Sequence, residues 1–369
     1  MRDILDQIAK WWDADETFGL ATVVRTFSSA PREPGAALAV SPEGEVVGSV
    51  SGGCVEGAVY ELAAEVIASG RPVLQRYGVS DDTAFSVGLT CGGIIDIFVE
   101  PISKERYPDF GDTARAVWAG EPVAVATVIE GPGMLGARRV IWPAEHEPHA
   151  TGTLGSGDRL DQATDDDARG MLAQGLTGVR HYGADGERRM DELSVFVQSF
   201  APPPRMLVFG AIDFAAAVAR IGKFLGYRVT VCDARPVFAT TARFPDADEV
   251  VTDWPHRYLS GITTDERTVI CVLTHDPKFD VPVLEVALRA PAAYIGAMGS
   301  RRTHEDRMDR LREAGMTVDE LARLRSPVGL DLGARTPEET AVAIAAELIQ
   351  LRWGGSGQPL TSTAGRIHH

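Results

Sequence analysis

The sequence predicts an α/β protein: an N-terminal α/β domain with internal duplication, followed by a Rossmann-like domain built on a doubly wound parallel sheet. Three observations carry that prediction. Short β-branched runs alternate with stretches of helical periodicity along the chain. A set of short segments recurs in the same order about 100 residues apart. Ala201-Pro-Pro-Pro-Arg205 reads as a stiff linker and the best domain boundary. The expected domains are 1–200, with degenerate repeats at about 18–102 and 121–200, then 205–352, then a disordered tail at 353–369.

Length and charge narrow the function classes. A chain of 369 residues can bury two or three cores. Its formal charge of −16 disfavours nucleic acid and anionic membrane surfaces, both of which need a basic face. No apolar run reaches the roughly 18 residues that span a bilayer. The start, Met1-Arg-Asp-Ile-Leu-Asp, reads as a charged amphipathic helix and not as a signal peptide. Four cysteines make no disulfide framework in a chain of this length, so the expected setting is a reducing cytoplasm.

In order, Asp3–Asp13 is a helix and Phe18–Phe27 a strand with Ala21–Arg25 at its centre. Ser28–Gly35 is a loop rich in turn residues. Ala36–Ser41 is a strand, Pro42–Gly44 a turn and Glu45–Val50 another strand. Ala58–Ala68 is a helix with Val59, Leu62, Val66 and Ile67 at helical spacing. Pro72–Tyr77 and Ile94–Glu100 are strands, joined by a polar loop that leads to Cys91. The second copy then echoes the first. Ala126-Thr-Val-Ile129 matches Ala21-Thr-Val-Val24, Thr151-Gly-Thr-Leu-Gly-Ser-Gly157 matches Val47–Gly53, and Ser194-Val-Phe-Val-Gln198 matches Asp96-Ile-Phe-Val-Glu100. The second copy carries no cysteine, so thiol chemistry belongs to the first.

Those thiols are the first candidate site. Ser51-Gly52-Gly53-Cys54 lies between a strand and a helix, and Cys91-Gly92-Gly93 precedes a strand. Each puts a cysteine beside a glycine pair at a strand end. Glycine permits a tight turn and close approach by a ligand. A helix start favours a thiolate or a bound anion such as phosphate. If the two strand ends meet, two thiols flank one pocket suited to a metal, a sulfur-transfer site or a redox pair. The spacing is not that of structural zinc. A buried, inert cysteine on a packed turn is the plain alternative.

After the linker, Met206–Phe209 is a strand ending at Gly210, Asp213–Leu225 a helix, and Gly226–Asp233 a turn and strand ending in an acid. A dinucleotide fingerprint needs Gly-x-Gly-x-x-Gly/Ala. Here Gly210 and Ala215 fit, but Ile212 stands where the second glycine admits a pyrophosphate, and Asp213 puts negative charge at the helix start. NAD(P) binding is therefore doubtful. Thr268–Leu273 is a strand ending at Thr274-His275-Asp276. Ala292–Ile295 is a strand ending at Gly296-Ala-Met-Gly299-Ser300-Arg301-Arg302, before a helix at Thr303–Ala314. Ligands in open α/β sheets sit beyond the carboxyl ends of strands, and Ser300–Arg302 at a helix start suits a phosphate. Gly329–Gly333 is a glycine-bounded loop, and Thr336-Pro-Glu-Glu339 is a capping box that opens the last helix.

The motifs Gly48–Glu56, Cys91-Gly-Gly93 running to Pro101, Thr274-His-Asp276, Ile295–Arg301 and Gly329–Glu339 together resemble the XdhC/CoxI family, accessory proteins of molybdenum hydroxylases, over residues 18–350. Family members bind molybdenum cofactor (molybdopterin), protect it during sulfuration by a cysteine desulfurase, and help insert it into xanthine dehydrogenase or a relative. The resemblance implies a cytoplasmic, homodimeric binding protein more than a catalyst, with a molybdenum hydroxylase client and a cysteine desulfurase as partners. It implies Cys54 and Cys91 as the reactive, metal-facing thiols. The implied cofactor contacts are Ser51, Gly52, Gly53, Glu56, Gly92, Gly93, Gly210, Asp233, His275, Asp276, Gly296, Gly299, Ser300, Arg301 and Asp331. An NAD(P)-dependent oxidoreductase and a sulfurtransferase carrying a persulfide on Cys54 remain the alternatives.

Overall fold

A computed structural model describes residues 1–27, 32–78, 93–188 and 190–364. Cys91 and Gly92 lie outside the described residues. The described chain divides into two compact units, Met1–Pro202 and Pro203–Ala364.

The first unit opens on α1 (Leu5–Asp13), after a short 3-10 turn at Arg2–Ile4. Strands β1 (Phe18–Phe27), β2 (Ala37–Val40) and β3 (Val46–Gly48) lead to α2 (Glu56–Ser69), then β4 (Val73–Tyr77) and β5 (Ile94–Ile102). Helix α3 (Phe110–Ala119) leads into β6 (Val123–Glu130), β7 (Arg138–Ile141), β8 (Ala150–Thr153), α4 (Asp158–Gln174), β9 (Gly178–Tyr182) and β10 (Leu193–Phe200). Among the described residues these strands form two antiparallel sheets, β3-β2-β1-β5-β4 and β8-β7-β6-β10-β9. The second order repeats the first, strand for strand. Register repeats as well: Leu20 pairs with Glu100 in one sheet, and Val125 with Gln198 in the other.

Each sheet buries both faces, which is why β1 and β6 are apolar nearly throughout. Ala21 and Val23 pack with Val59, Ala63 and Val66 of α2, while Ala126 and Val128 pack with Leu160, Ala168 and Leu172 of α4. The opposite faces meet, with Val24 and Phe98 against Ile129 and Phe196. The side-chain period of two in a strand sends alternate residues to the two cores. Arg138 of β7 crosses the sheet interface to an ion pair with buried Glu100 and lies over the Tyr107 ring, 4.3 Å from its centre.

The second unit runs β11 (Arg205–Phe209), α5 (Asp213–Phe224), β12 (Arg228–Asp233), β13 (Glu249–Thr252), α6 (Pro255–Ser260), β14 (Val269–Val272), α7 (Pro277–Ala287), β15 (Tyr294–Ala297), α8 (Arg301–Glu313), α9 (Val318–Ala322), β16 (Leu324–Arg325) and α10 (Pro337–Trp353). All pairings are parallel, in the order β13-β12-β11-β14-β15-β16. This is the expected Rossmann-like sheet. The order in which strands are added reverses between β11 and β14, the switch point beyond whose carboxyl ends such sheets bind ligands. Helices α5 and α10 cover one face, and α6, α7 and α8 the other.

Several elements depart from the sequence expectation. Helix α2 starts two residues early, at Glu56, and α8 starts at Arg301. Helices α3, α6, α7 and α9 and strands β13 and β16 are not anticipated, and α4 only as the counterpart of α2 in the second copy. For α7 a signal existed: Pro277 fills the first helical position after an Asp276 cap. The internal Pro282, sixth in the helix, masks it, because proline there removes one N–H from the hydrogen-bond ladder.

Candidate functional site

The turn between β3 and α2 is organised by Glu56, the first residue of α2. Its carboxylate folds back into the turn. It accepts from Ser49 Oγ at 2.7 Å, Ser51 N at 2.9 Å, Ser51 Oγ at 2.5 Å, Gly53 N at 2.8 Å and Val55 N at 3.2 Å. Ser51 Oγ accepts from Cys54 N at 2.9 Å and Val55 N at 3.0 Å, and Ser49 Oγ accepts from Gly52 N at 3.0 Å. Burial opposes the charge on Glu56, but the Ser51 and Ser49 hydroxyls and the backbone N–H groups outweigh it and hold its carboxyl down to about 2.

This geometry revises the expected chemistry of the turn. The N–H groups from Ser51 to Val55, expected to serve an incoming phosphate or a thiolate, already serve Glu56 and the two serines. An anion has no donor left on that backbone. What stays accessible is the surface above the glycines. Gly52 (φ 78°) and Gly53 (φ 121°) hold left-handed backbone that other residues rarely adopt, and a Cβ at either would meet no atom within 4 Å. Cys54 sits half-buried beside this opening, packed against the Val55 and Val59 core. It lies just before the Val55 N-cap, outside the helix. Gly93 is buried at the start of β5. The Cys54–Cys91 separation falls outside the described residues.

The corresponding turn of the second copy keeps the backbone and changes the chemistry. Gly155 (φ 83°) and Gly157 (φ 101°) replace the glycine pair, and Asp161 Oδ1 accepts from Leu154 N at 2.9 Å. Arg139 binds Asp165 at 2.6 and 2.8 Å, an ion pair with no counterpart in the first copy.

In the second unit the sequence-chosen residues gather at the carboxyl edge of the sheet, but most have structural duties. Gly210 (φ 110°) lies so close to β14 that a Cβ would sit 2.8 Å from Thr274 Cγ2. Asp233 accepts from Ala211 N at 2.7 Å and from Arg235 through N, Nε and Nη2 at 2.9, 2.9 and 2.8 Å. Burial works against its charge, yet Arg235 and the two backbone donors keep the carboxyl below its usual range. An Asp233 so engaged has no acceptor to offer a ribose. Ile212 packs into the core beside α5. Asp276 caps α7, accepting from Lys278 N at 3.1 Å, and His275 beside it is exposed. Gly296 is buried where a Cβ would strike Tyr294 and Val328. Ser300 caps α8, accepting from Thr303 N at 3.1 Å after Gly299 (φ 155°); Arg301, Arg302 and Asp331 are exposed.

Two constellations lay outside the sequence reading. Beneath the Met298–Ser300 loop, buried Arg307 of α8 donates to Asp280 Oδ2 of α7 at 2.9 Å, to the Met298 carbonyl at 2.8 Å and to Ser326 Oγ at 3.1 Å. Asp280 also takes the Thr274 hydroxyl. Helical spacing marks neither residue, because both sit on ordinary helix positions and meet only in space. In the first unit, Ser194, His181 and Asp191 converge, but Ser194 and Asp191 both address His181 Nδ1, at 3.3 and 2.8 Å. A hydrolytic relay needs the two opposite nitrogens. Among the described residues, no three His, Cys, Asp or Glu side chains are placed to hold a metal, and no helix is long and apolar enough to cross a membrane.

Comparison with known proteins follows the same division. Residues 206–348 match the model of the XdhC Rossmann domain, and residues 11–78 and 116–183 match that of the XdhC and CoxI family. The chain is 28% identical over 335 residues to a probable xanthine dehydrogenase subunit of Bacillus subtilis (strain 168), covering 90% of this chain and 92% of that protein. It is also 28% identical over 334 residues to the molybdenum cofactor insertion chaperone PaoD of Escherichia coli (strain K12), covering 90% and 83%. Its fold is similar to a crystal structure from Bacillus halodurans described as a xanthine dehydrogenase, with a TM-score of 0.68, 25% identity, and 98% and 97% of the two chains covered.

Proposed function

The chain belongs to the XdhC and CoxI family, and on that footing we propose that it binds molybdenum cofactor and assists its sulfuration and insertion into a xanthine-dehydrogenase-type molybdenum hydroxylase. The observation that carries the proposal is the Cys54 turn. A half-buried thiol stands beside an open glycine surface, on a backbone locked by Glu56. Soft sulfur ligands suit molybdenum, so the residues present fit the metal-bearing end of the cofactor. They do not fit its phosphate, because the turn's donors are taken. The exposed Ser300–Arg301–Arg302 start of α8 is the proposed phosphate contact of the Rossmann unit.

When bound, the cofactor supplies the molybdenum–sulfur chemistry. The chain's own part is to present Cys54 in a fixed setting, with Cys91 proposed as the second thiol. Glu56 holds the turn, and the acidic surface disfavours loss of the protein to nucleic acid or membrane. A cysteine desulfurase as sulfur source and a cytoplasmic setting belong to the same proposal.

The test is copurification. Protein from a molybdenum-replete host yields a pterin that becomes fluorescent on oxidation, together with molybdenum. Cys54→Ala lowers retained molybdenum more than retained pterin, and Arg301→Ala lowers pterin more. Wild-type protein carrying no pterin, or a Cys54→Ala variant that retains full molybdenum, overturns the reading. A one-sulfur mass increase on Cys54 after incubation with a desulfurase, without pterin, favours the sulfurtransferase alternative.

A further inference from the structure

Arg307 and Asp280 form an ion pair that is buried on both sides, with side chains 3% and 5% exposed. Stability alone does not account for it. Two charges taken out of water cost about as much as their attraction returns, and a packed apolar pair is often as stable. What this pair does that an apolar pair could not is fix the distances between polar groups. Its reach covers the segments that follow three neighbouring strands of the sheet. Thr274, two residues beyond β14, donates its hydroxyl hydrogen to Asp280. The Met298 carbonyl, first beyond β15, accepts from Arg307 Nη2 at 2.8 Å. Ser326 Oγ, first beyond β16, accepts from Arg307 Nη1 at 3.1 Å. A planar guanidinium holds such partners in one rigid fork.

One residue separates this network from the exposed start of α8. Gly299 follows Met298, and Ser300 caps the helix. A Cβ at Gly299 would lie 3.0 Å from Thr303 and 3.6 Å from Arg307 Nη1, so the connecting residue is pressed between the first turn of α8 and the guanidinium. The backbone bond from Met298 N to Val272 O, at 2.9 Å, fixes the strand end and leaves the onward path to Arg307. We propose that Arg307 is a positioning residue for cofactor binding: it holds the Met298–Ser300 loop so that Ser300 and Arg301 meet the cofactor's phosphate. This rests on the phosphate contact proposed above for the start of α8. Arg307 lies beneath the loop and acts through it, without touching the ligand. Placement matters to such a grip because hydrogen bonds weaken steeply as they lose alignment. The exposed His275 follows Thr274, so the same network also sets its path.

Pterin retained after dialysis and urea unfolding, measured on the same full-chain variants, test the inference. Arg301→Ala removes the contact itself. Arg307→Met with Asp280→Leu removes the network and both buried charges together, so the urea midpoint stays near that of wild type. That stable double variant is expected to retain on the order of tenfold less pterin, as when a group that orients a binding side chain is lost. Adding Arg301→Ala to it lowers retention little further, because the contact is already misplaced; losses that simply multiply would overturn the positioning role. Ser326→Ala removes one support and no charge, and is expected to cost about two- to threefold in retained pterin at an unchanged urea midpoint. Full retention by the double variant, or by Ser326→Ala should the double variant not fold, overturns the inference and leaves the phosphate contact standing. Full retention by Arg301→Ala overturns both.

Discussion

Glu56 shows how one side chain decides what a glycine turn can bind. Its five accepted hydrogen bonds make it an internal anion in a site of the kind that often takes an external one. Because its folded value lies near 2 and its usual value is 4.5, the stabilisation is present above pH 4.5 and is lost as pH falls toward 2. Glu56→Gln is expected to cost on the order of 1 kcal/mol at neutral pH, after allowance for solvent. Thermal melts of both proteins down to pH 2 should show the gap closing over that window; a constant gap would mean the charge is irrelevant. Arg307 makes the complementary case in the second unit. Arg307→Met leaves Asp280 buried and unpaired, at a cost of about 3–5 kcal/mol by urea unfolding. Adding Asp280→Leu should recover most of that loss.

At the scale of elements, the strand–turn–helix unit of β11 and α5 keeps a dinucleotide fold while two of its residues oppose a dinucleotide in the usual pose. The two features oppose it independently. Ile212 occupies the glycine position, and Asp233 is bound to Ala211 and Arg235. Restoring one is therefore insufficient. Ile212→Gly is expected to leave NADH binding undetectable by nicotinamide fluorescence. Saturable micromolar binding in that variant would show that the side chain at 212 was the sole obstacle. The repeated units of the first half make a related point. Same strand order, same register and same glycine turn carry a thiol and a carboxylate lock in one copy, and an Arg139–Asp165 pair in the other. We propose that a duplicated element was kept for packing in one half and for chemistry in the other.

For the whole molecule, the division at Pro202 separates two units that each have complete sheets and cores of their own. Fragments 1–202 and 203–364 are each expected to unfold cooperatively when expressed alone, as calorimetry can establish. A 1–202 fragment lacking a thermal transition would show that its core depends on the Rossmann unit.

Much of this was legible in the sequence, for a physical reason. β-branched runs and capping signals are local, so β1, β5, β11 and the start of α10 could be placed from their own residues. The preserved order of echoes revealed two copies before any pairing was seen. Glycines with left-handed backbone, such as Gly53 and Gly210, stood out because no other residue serves there. Hydrogen-bond ownership was not legible. Whether an N–H at the Cys54 turn awaits a ligand or already serves Glu56, and whether Asp233 offers its carboxylate outward or turns it inward, depends on rotamers and partners brought close only by folding. The Thr274–Asp280–Arg307 network joins residues from separate helices and a strand end. Only the tertiary structure decided it, because burial turns three ordinary polar residues into a single ion pair and its supports.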